Sequence, residues 1–184
     1  FGTVTSASTG VAAAGTYEGG YTLISDDGSD ITISGGDGSA TGNVSNAGLS
    51  AGTFGGTTSG VTSSAQAGAT LNALVAGDLV INGVSVGASQ STRDTASSTD
   101  HAASVISVAA AINAVSDQSG VTARVNETVL VGGTTQTTTG AVTGAITVNG
   151  IATSAITTTT DGETNRTLAI DAINAISGRT GVVA

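Results

Sequence analysis

The chain has 184 residues with thirteen acidic and four basic side chains, a net charge of -9, and no Cys, Pro, Met, Trp or Lys. Lack of cysteine excludes disulfides, thiol catalysis and zinc–thiolate sites, and the four arginines (Arg93, Arg124, Arg166, Arg179) are scattered singly, without the clustering that phosphate binding needs. Leu, Ile, Val and Phe make up roughly 22% of residues, just above the level at which disorder is expected, so the composition predicts a folded chain with a lean core of Val, Ile and Ala.

Residues 1–16 are small and Ser/Thr/Ala-rich, with no basic n-region of a signal peptide. With no initiator Met, a processed or partial chain is expected. Residues 17–34 read as a hairpin: Tyr21–Ser25 and Ile31–Ser34 are short β-prone runs, and Asp26-Asp27-Gly28-Ser29-Asp30 supplies turn chemistry between them. Residues 35–70 carry thinly spaced Val44, Leu49, Phe54 and Val61 in a Gly/Ser/Thr/Ala background, which predicts loops and short irregular strands.

Short apolar-rich runs at 79–81 and 84–86 flank Asn82-Gly83. This is a strong hairpin signal, because both central residues of a type I′ turn need φ > 0. A helix is predicted over about 101–116, capped by Asp100, with Val105, Val108, Ala109, Ile112 and Val115 on one face. Gly120 is its stop, and 121–131 returns as one or two strands. The run 105–115 is the longest apolar-rich stretch; Ser107 and Asn113 interrupt it, and it is too short to span a membrane.

A second pass through the same order of parts follows. Residues 146–148 and 151–153 flank Asn149-Gly150. Thr160 and Glu163 fit a capping box for a helix over about 163–177, with Ala169, Ile173 and Ile176 buried. Val182-Val183 would begin a closing strand, and the unit looks cut short there. The two helix ends are close copies: 112–123 reads INAVSDQSGVTA and 173–184 reads INAISGRTGVVA, identical at seven of twelve positions. Two degenerate copies in the same order predict a duplicated hairpin–helix–strand unit. Neither hairpin nor helix can leave its apolar face in water, so the helix is expected across the hairpin. The fold class is α+β, with short antiparallel sheets and one helix packed on each. The expected segments are 1–70, 71–133 and 134–184, as separate parts or as one compact domain.

The order of strand, Asn-Gly, strand, polar loop, Ala-rich helix ending Ile-Asn-Ala, and Gly-Val exit resembles the flagellin hook IN motif. The residues that carry the resemblance are Ile81-Asn82-Gly83 and Val148-Asn149-Gly150, Ile112-Asn113-Ala114 and Ile173-Asn174-Ala175, and Gly120-Val121 and Gly181-Val182. They span about 77–131 and 146–184. The bias of 1–70 is similar to the variable centre of flagellins, while the long terminal helices that build a filament core are not in this sequence. The resemblance implies a structural protein, displayed extracellularly on a bacterial flagellar filament. Its implied partners are neighbouring subunits, reached through stalk segments, and host antibodies or immune receptors; nucleic acid and membrane are not among them. The isolated chain is expected to be a monomer. A different class, a domain of a secreted adhesin or filament cap that binds a receptor or glycan, is weakened by the scarcity of aromatic platforms (Phe1, Tyr17, Tyr21, Phe54).

The residues that could carry chemistry are few. His101 beside Asp100 lacks the oriented base and nucleophile elbow of a hydrolase. Asp26 to Asp30 with Asp37 could hold calcium, but the twelfth position of such a loop is Asp37 rather than Glu and its Gly is misplaced. No catalytic residue, metal site or cofactor is therefore assigned. The structural turn residues are Asn82, Gly83, Asn149 and Gly150. By analogy with flagellins, the O-glycan candidates are Thr134, Thr135, Thr137, Thr138, Thr139, Thr157, Thr158, Thr159 and Thr160, against the plainer reading of β-prone threonines. The Asn-x-Ser/Thr triplets at Asn43, Asn126 and Asn165 are near chance in so Ser/Thr-rich a chain.

Overall fold

The computed structural model describes residues 4–15, 17, 19–36, 43–55, 61–62, 72–133 and 140–184. The chain divides into two compact units, Thr16–Thr128 and a second made of Phe1–Gly15 with Val129–Ala184. Residues 1–15 fall in the second of these units, and the described strands of 16–70 fall in the first.

In the unit Thr16–Thr128 the described strands are β1 (Tyr21–Ser25), β2 (Ile31–Ser34), β3 (Gly52–Phe54), β4 (Val61–Thr62), β5 (Val80–Ile81), β6 (Val84–Ser85) and β7 (Val121–Val125). They form two antiparallel sheets, β4-β1-β7 and β3-β2-β5-β6. The expected hairpin of β1 and β2 is not made. The two strands belong to different sheets, and Asp26 to Asp30 forms a corner between them. Local turn chemistry is satisfied there all the same: Asp27 Oδ1 accepts from the Ser29 N–H at 2.8 Å and the Ser25 hydroxyl at 3.0 Å, and Gly28 takes φ 76°. Long-range pairing overrides the hairpin, because β1 meets β7 over five residue pairs, Tyr21↔Val125 to Ser25↔Val121.

Alternation along β1 and β2 sends Tyr21, Leu23, Ile31 and Ile33 inward, where they join Leu79, Ile81, Val86 and Val121 in one apolar core. The Tyr21 hydroxyl donates to the Ala47 carbonyl at 2.7 Å, which satisfies a polar atom in a buried place. Burial pushes this phenol well above its usual pKa.

The helix α2 (Val105–Asn113) begins later than expected, following short α1 (Ser6–Thr9) of the other unit in chain order. Its N-cap is Ser104, whose hydroxyl accepts from the Ser107 N–H at 3.2 Å. Asp100 instead takes φ 50° within the preceding turn. Val108 and Ile112 are wholly buried, with Val105 and Ala109 nearly so. The helix lies chiefly against β7 rather than across the β5–β6 hairpin. A further turn, α3 (Ser116–Ser119), ends at Gly120 with φ 66°.

The second unit holds α1, then β8 (Thr143–Gly144), β9 (Thr147–Val148), β10 (Ile151–Ala152), β11 (Ile156–Thr157), α4 (Gly162–Asn174) and α5 (Ser177–Thr180). Two separate two-stranded pairings, β9 with β10 and β8 with β11, make its sheets. α4 packs against α1 and β11, and Ile156, Ala169 and Ala172 form its small core with Val4, Val11 and Ile146. Its N-cap is Asp161, one residue after the expected Thr160; the carboxylate accepts from the Thr164 N–H at 3.0 Å. Residues 181–184 form no closing strand. The α+β class holds, with helices and several short antiparallel sheets in the described residues.

A Cβ placed on Gly83 would meet nothing within 4 Å, yet its φ is 81°. Gly83→Val should therefore destabilise through backbone strain alone, by about 1–3 kcal/mol. Thermal melting checks this, and an unchanged melting temperature would refute the turn's importance.

Candidate functional site

Two asparagines organise the β5–β6–α2–α3–β7 segment. Asn82 and Gly83 link β5 to β6 with φ 50° and 81°, the left-handed pair that a type I′ turn needs. The Asn82 side chain then reaches out of the turn. Its Nδ2 donates to the Ser119 carbonyl at 2.9 Å, and its Oδ1 accepts from the Thr32 N–H at 2.8 Å. The Asn82 N–H donates in turn to the Thr32 carbonyl at 2.8 Å. One side chain thus ties the hairpin tip to the end of α3 and extends the β2–β5 pairing.

Asn113 closes α2. Its Oδ1 accepts from the Ala123 N–H at 2.7 Å and its Nδ2 donates to the Ala123 carbonyl at 2.9 Å. The amide imitates a neighbouring strand, occupying both backbone groups of one β7 residue. In the sequence Asn113 stands out only as part of the repeated Ile-Asn-Ala, of the flagellin resemblance, and as an interruption of the apolar run. Its exposed position beside an apolar stripe gave no other sign of this role.

The second unit has a corresponding set of contacts. Asn149 and Gly150 take φ 48° and 77°, and Asn149 Nδ2 donates to the Thr180 carbonyl at 3.0 Å. Asn174 Oδ1 accepts from the Ala184 N–H at 2.9 Å and its Nδ2 donates to the Ala184 carbonyl at 3.0 Å. Gly181 ends α5 with φ 69°. Another matched clamp brackets each hairpin, ahead of its helix. Ser89 accepts from the Leu74 N–H through its hydroxyl and donates its own N–H to the Leu74 carbonyl. Thr158 does both toward Val142.

The remaining candidates that lie among the described residues are held in structural roles or lie on the surface. His101 Nδ1 is 2.9 Å from the Asp94 carbonyl oxygen, so the ring faces backbone rather than the Asp100 carboxylate. Among the described residues no group of three or more His, Asp or Glu side chains could hold a metal, and Asp37 of the calcium reading lies outside them. Asn165 is wholly buried, with Oδ1 accepting from the Thr159 N–H at 2.6 Å and Nδ2 donating to its carbonyl at 2.9 Å; a glycan has no access there in the folded chain. Asn43 Nδ2 donates to Asp78 at 3.0 Å, and Asn126 Oδ1 accepts from the Thr22 hydroxyl at 3.0 Å.

Among the threonines, Thr134, Thr135, Thr137, Thr138 and Thr139 lie outside the described residues. Thr158 is buried with its hydroxyl on Val142. Thr157 shares a bond with Thr143 at 2.8 Å, and the Thr159 hydroxyl donates to the Asp161 carbonyl at 3.2 Å. Thr160 is exposed. Within the described residues no helix is long and apolar enough to cross a membrane.

Asp94 is an unusual acid, almost wholly buried. Its Oδ1 accepts from the N–H groups of Ala96 and Ser97 at 2.8 and 3.0 Å, while Oδ2 has no hydrogen-bond partner among the described residues. Burial opposes its charge. The nearby hydroxyls of Ser104 and Ser97 and the two N–H groups outweigh burial and bring its pKa down to about 2.

Residues 78–141 match the family model of the flagellin hook IN motif, and over that stretch the chain is flagellin-like. No curated protein matches the chain, and no solved structure does.

Two outcomes follow from this geometry. Asn113→Ala leaves both backbone groups of buried Ala123 unpaired and should cost about 2–3 kcal/mol in urea unfolding; a loss below the error of the fit would deny the clamp its role. Asp94 has a folded pKa below its unfolded value, so its contribution to stability is present above about pH 4 and fades as pH falls toward about 2. Acid titration of the melting temperature should show a shallower decline in Asp94→Asn than in the parent.

Proposed function

We propose that this chain is the outward-facing variable domain of a bacterial flagellin, a structural subunit of the motility filament, and that 134–184 is a second hook IN-like unit. The observation that carries this reading is the matched asparagine set. Asn82 and Asn113 hold Ser119 and Ala123, while Asn149 and Asn174 hold Thr180 and Ala184. The first set falls within the stretch matched by the family model. The second set is supported by the same bonds, the same left-handed turn residues and a glycine stop in the same order.

The reading assigns the chain no catalysis and no cofactor. Its work is to present a stable surface outside the cell, against which antibodies or immune receptors bind. Filament assembly belongs to stalk segments outside this sequence. A net charge of -9 with abundant Ser, Thr and Gly suits a solvated, mutually repelling surface. If the native protein carries O-glycans, exposed Thr160 is the best acceptor among 157–160, because Thr158 is buried and the hydroxyls of exposed Thr157 and Thr159 are engaged with Thr143 and the Asp161 carbonyl.

Immunogold electron microscopy with antibodies to this chain tests the placement. Gold along the length of flagellar filaments is the expected result; gold confined to filament tips or the cell envelope would replace this reading with a cap or adhesin. Analytical sedimentation of the isolated chain should give a monomer, and stable fibres would contradict the assignment of assembly to other segments.

A further inference from the structure

The two Asn-Gly turns have nearly the same local sequence, Ile81-Asn82-Gly83-Val84 and Val148-Asn149-Gly150-Ile151, but different surroundings. Asn-Gly is the pair most prone to self-cyclisation, since glycine leaves its backbone nitrogen unhindered. For the reaction to occur, the Gly nitrogen must approach the Asn side-chain carbon, so the turn must open and the amide must be free to rotate.

Asn82 is restrained from three directions. Its N–H and Oδ1 both bond Thr32, at 2.8 Å each, and its Nδ2 bonds the Ser119 carbonyl at 2.9 Å. Its hairpin is also the edge of a four-stranded sheet, with β2 paired to β5. Among the described residues Asn149 keeps only the Nδ2 bond to the Thr180 carbonyl, at 3.0 Å. Among the described residues no strand stands where Thr32 stands in the other unit, and β9 and β10 form a sheet of two strands alone. Two-stranded hairpins are marginal in water, and local opening is cheapest where few bonds hold a segment.

The geometry points to Asn149-Gly150 as a self-modification site of the folded chain, with Asn82-Gly83 as its protected counterpart. The Gly150 nitrogen attacks Asn149 Cγ. The new C–N bond closes a succinimide, the Cγ–Nδ2 bond breaks, and the amide leaves as ammonia carrying the Gly150 proton. Water then opens the ring at either carbonyl, giving aspartate or isoaspartate at 149. Either product removes the donor that holds the Thr180 carbonyl and sets a carboxylate against that oxygen. Isoaspartate also inserts a methylene into a turn that depends on two left-handed residues. The hairpin of the second unit thereby loses its tie to α5, while the first unit keeps its own.

The test needs no variant. The intact chain is incubated in mildly alkaline buffer, folded and in denaturant, then cut after arginine. Peptides 1–93 and 125–166 each carry one Asn-Gly pair. Mass spectrometry reads the conversion of amide to acid, and chromatography separates the two acid products. In denaturant the two sites should react at rates within about threefold of each other, because their local sequences match. In the folded chain Asn149 should react at least about tenfold faster than Asn82, reflecting its easier local opening. Equal folded rates, a faster Asn82, or an Asn149 as strongly protected as Asn82 overturn the proposal.

Discussion

The side-chain amide of asparagine, used as a substitute for backbone, is the interaction on which the rest of this structure depends. Asn113 and Asn174 each offer one donor and one acceptor to a single residue of the exit segment, Ala123 or Ala184. An amide has the same donor–acceptor pair as a peptide unit. It can therefore satisfy backbone groups at a place where no strand can fit, between the end of a helix and the chain that leaves it. Asn165 does the same for Thr159 at the start of α4. Ser89 and Thr158 achieve it with one hydroxyl and their own N–H.

This arrangement suits a chain whose core is so lean. The strands are short, each described strand of the second unit having two residues, and its core is built on Ile156, Ala169 and Ala172. Such elements bury little apolar surface, and the hydrophobic term scales with that area. Buried backbone groups left unpaired would then be a large fraction of the net stability. The polar clamps remove that cost at the junctions. The unit Thr16–Thr128 has more apolar material, with Tyr21, Leu23, Ile31, Ile33, Ile81 and Ile112 closely packed, and there the same clamps fix geometry as much as stability. Asp78 shows the polar counterpart of this packing: burial opposes its charge, but the Val75 N–H and the amides of Asn46 and Asn43 hold its pKa below the ordinary value.

The local features of the chain were legible where one or two residues decide them. Left-handed glycine at 120 and 181 and the buried stripes Val105, Val108, Ala109, Ile112 and Ala169, Ile173, Ile176 follow from steric preference and helical spacing. Helix starts were less legible. Asp100, Ser104, Thr160 and Asp161 are all residue types that cap helices well, so residue type alone did not separate the caps Ser104 and Asp161 from their neighbours. The corner at Asp26 to Asp30 is the clearest divergence. Its residues suit a hairpin as well as a corner, and only the competition for β1 between β2 and β7 separates the two.

The sequence by itself determined the α+β class, the apolar faces and a flagellin-like motif, because periodicity and glycine placement act within a few residues. Tertiary structure alone decided that β1 and β2 part into different sheets. It also decided that Thr16–Thr128 forms one unit while the first fifteen residues join 129–184. Among the described residues, tertiary structure also gave Asn82 three bonds and Asn149 one. Those outcomes depend on partners far away in the chain, such as Thr32 for Asn82, whose approach no local pattern encodes.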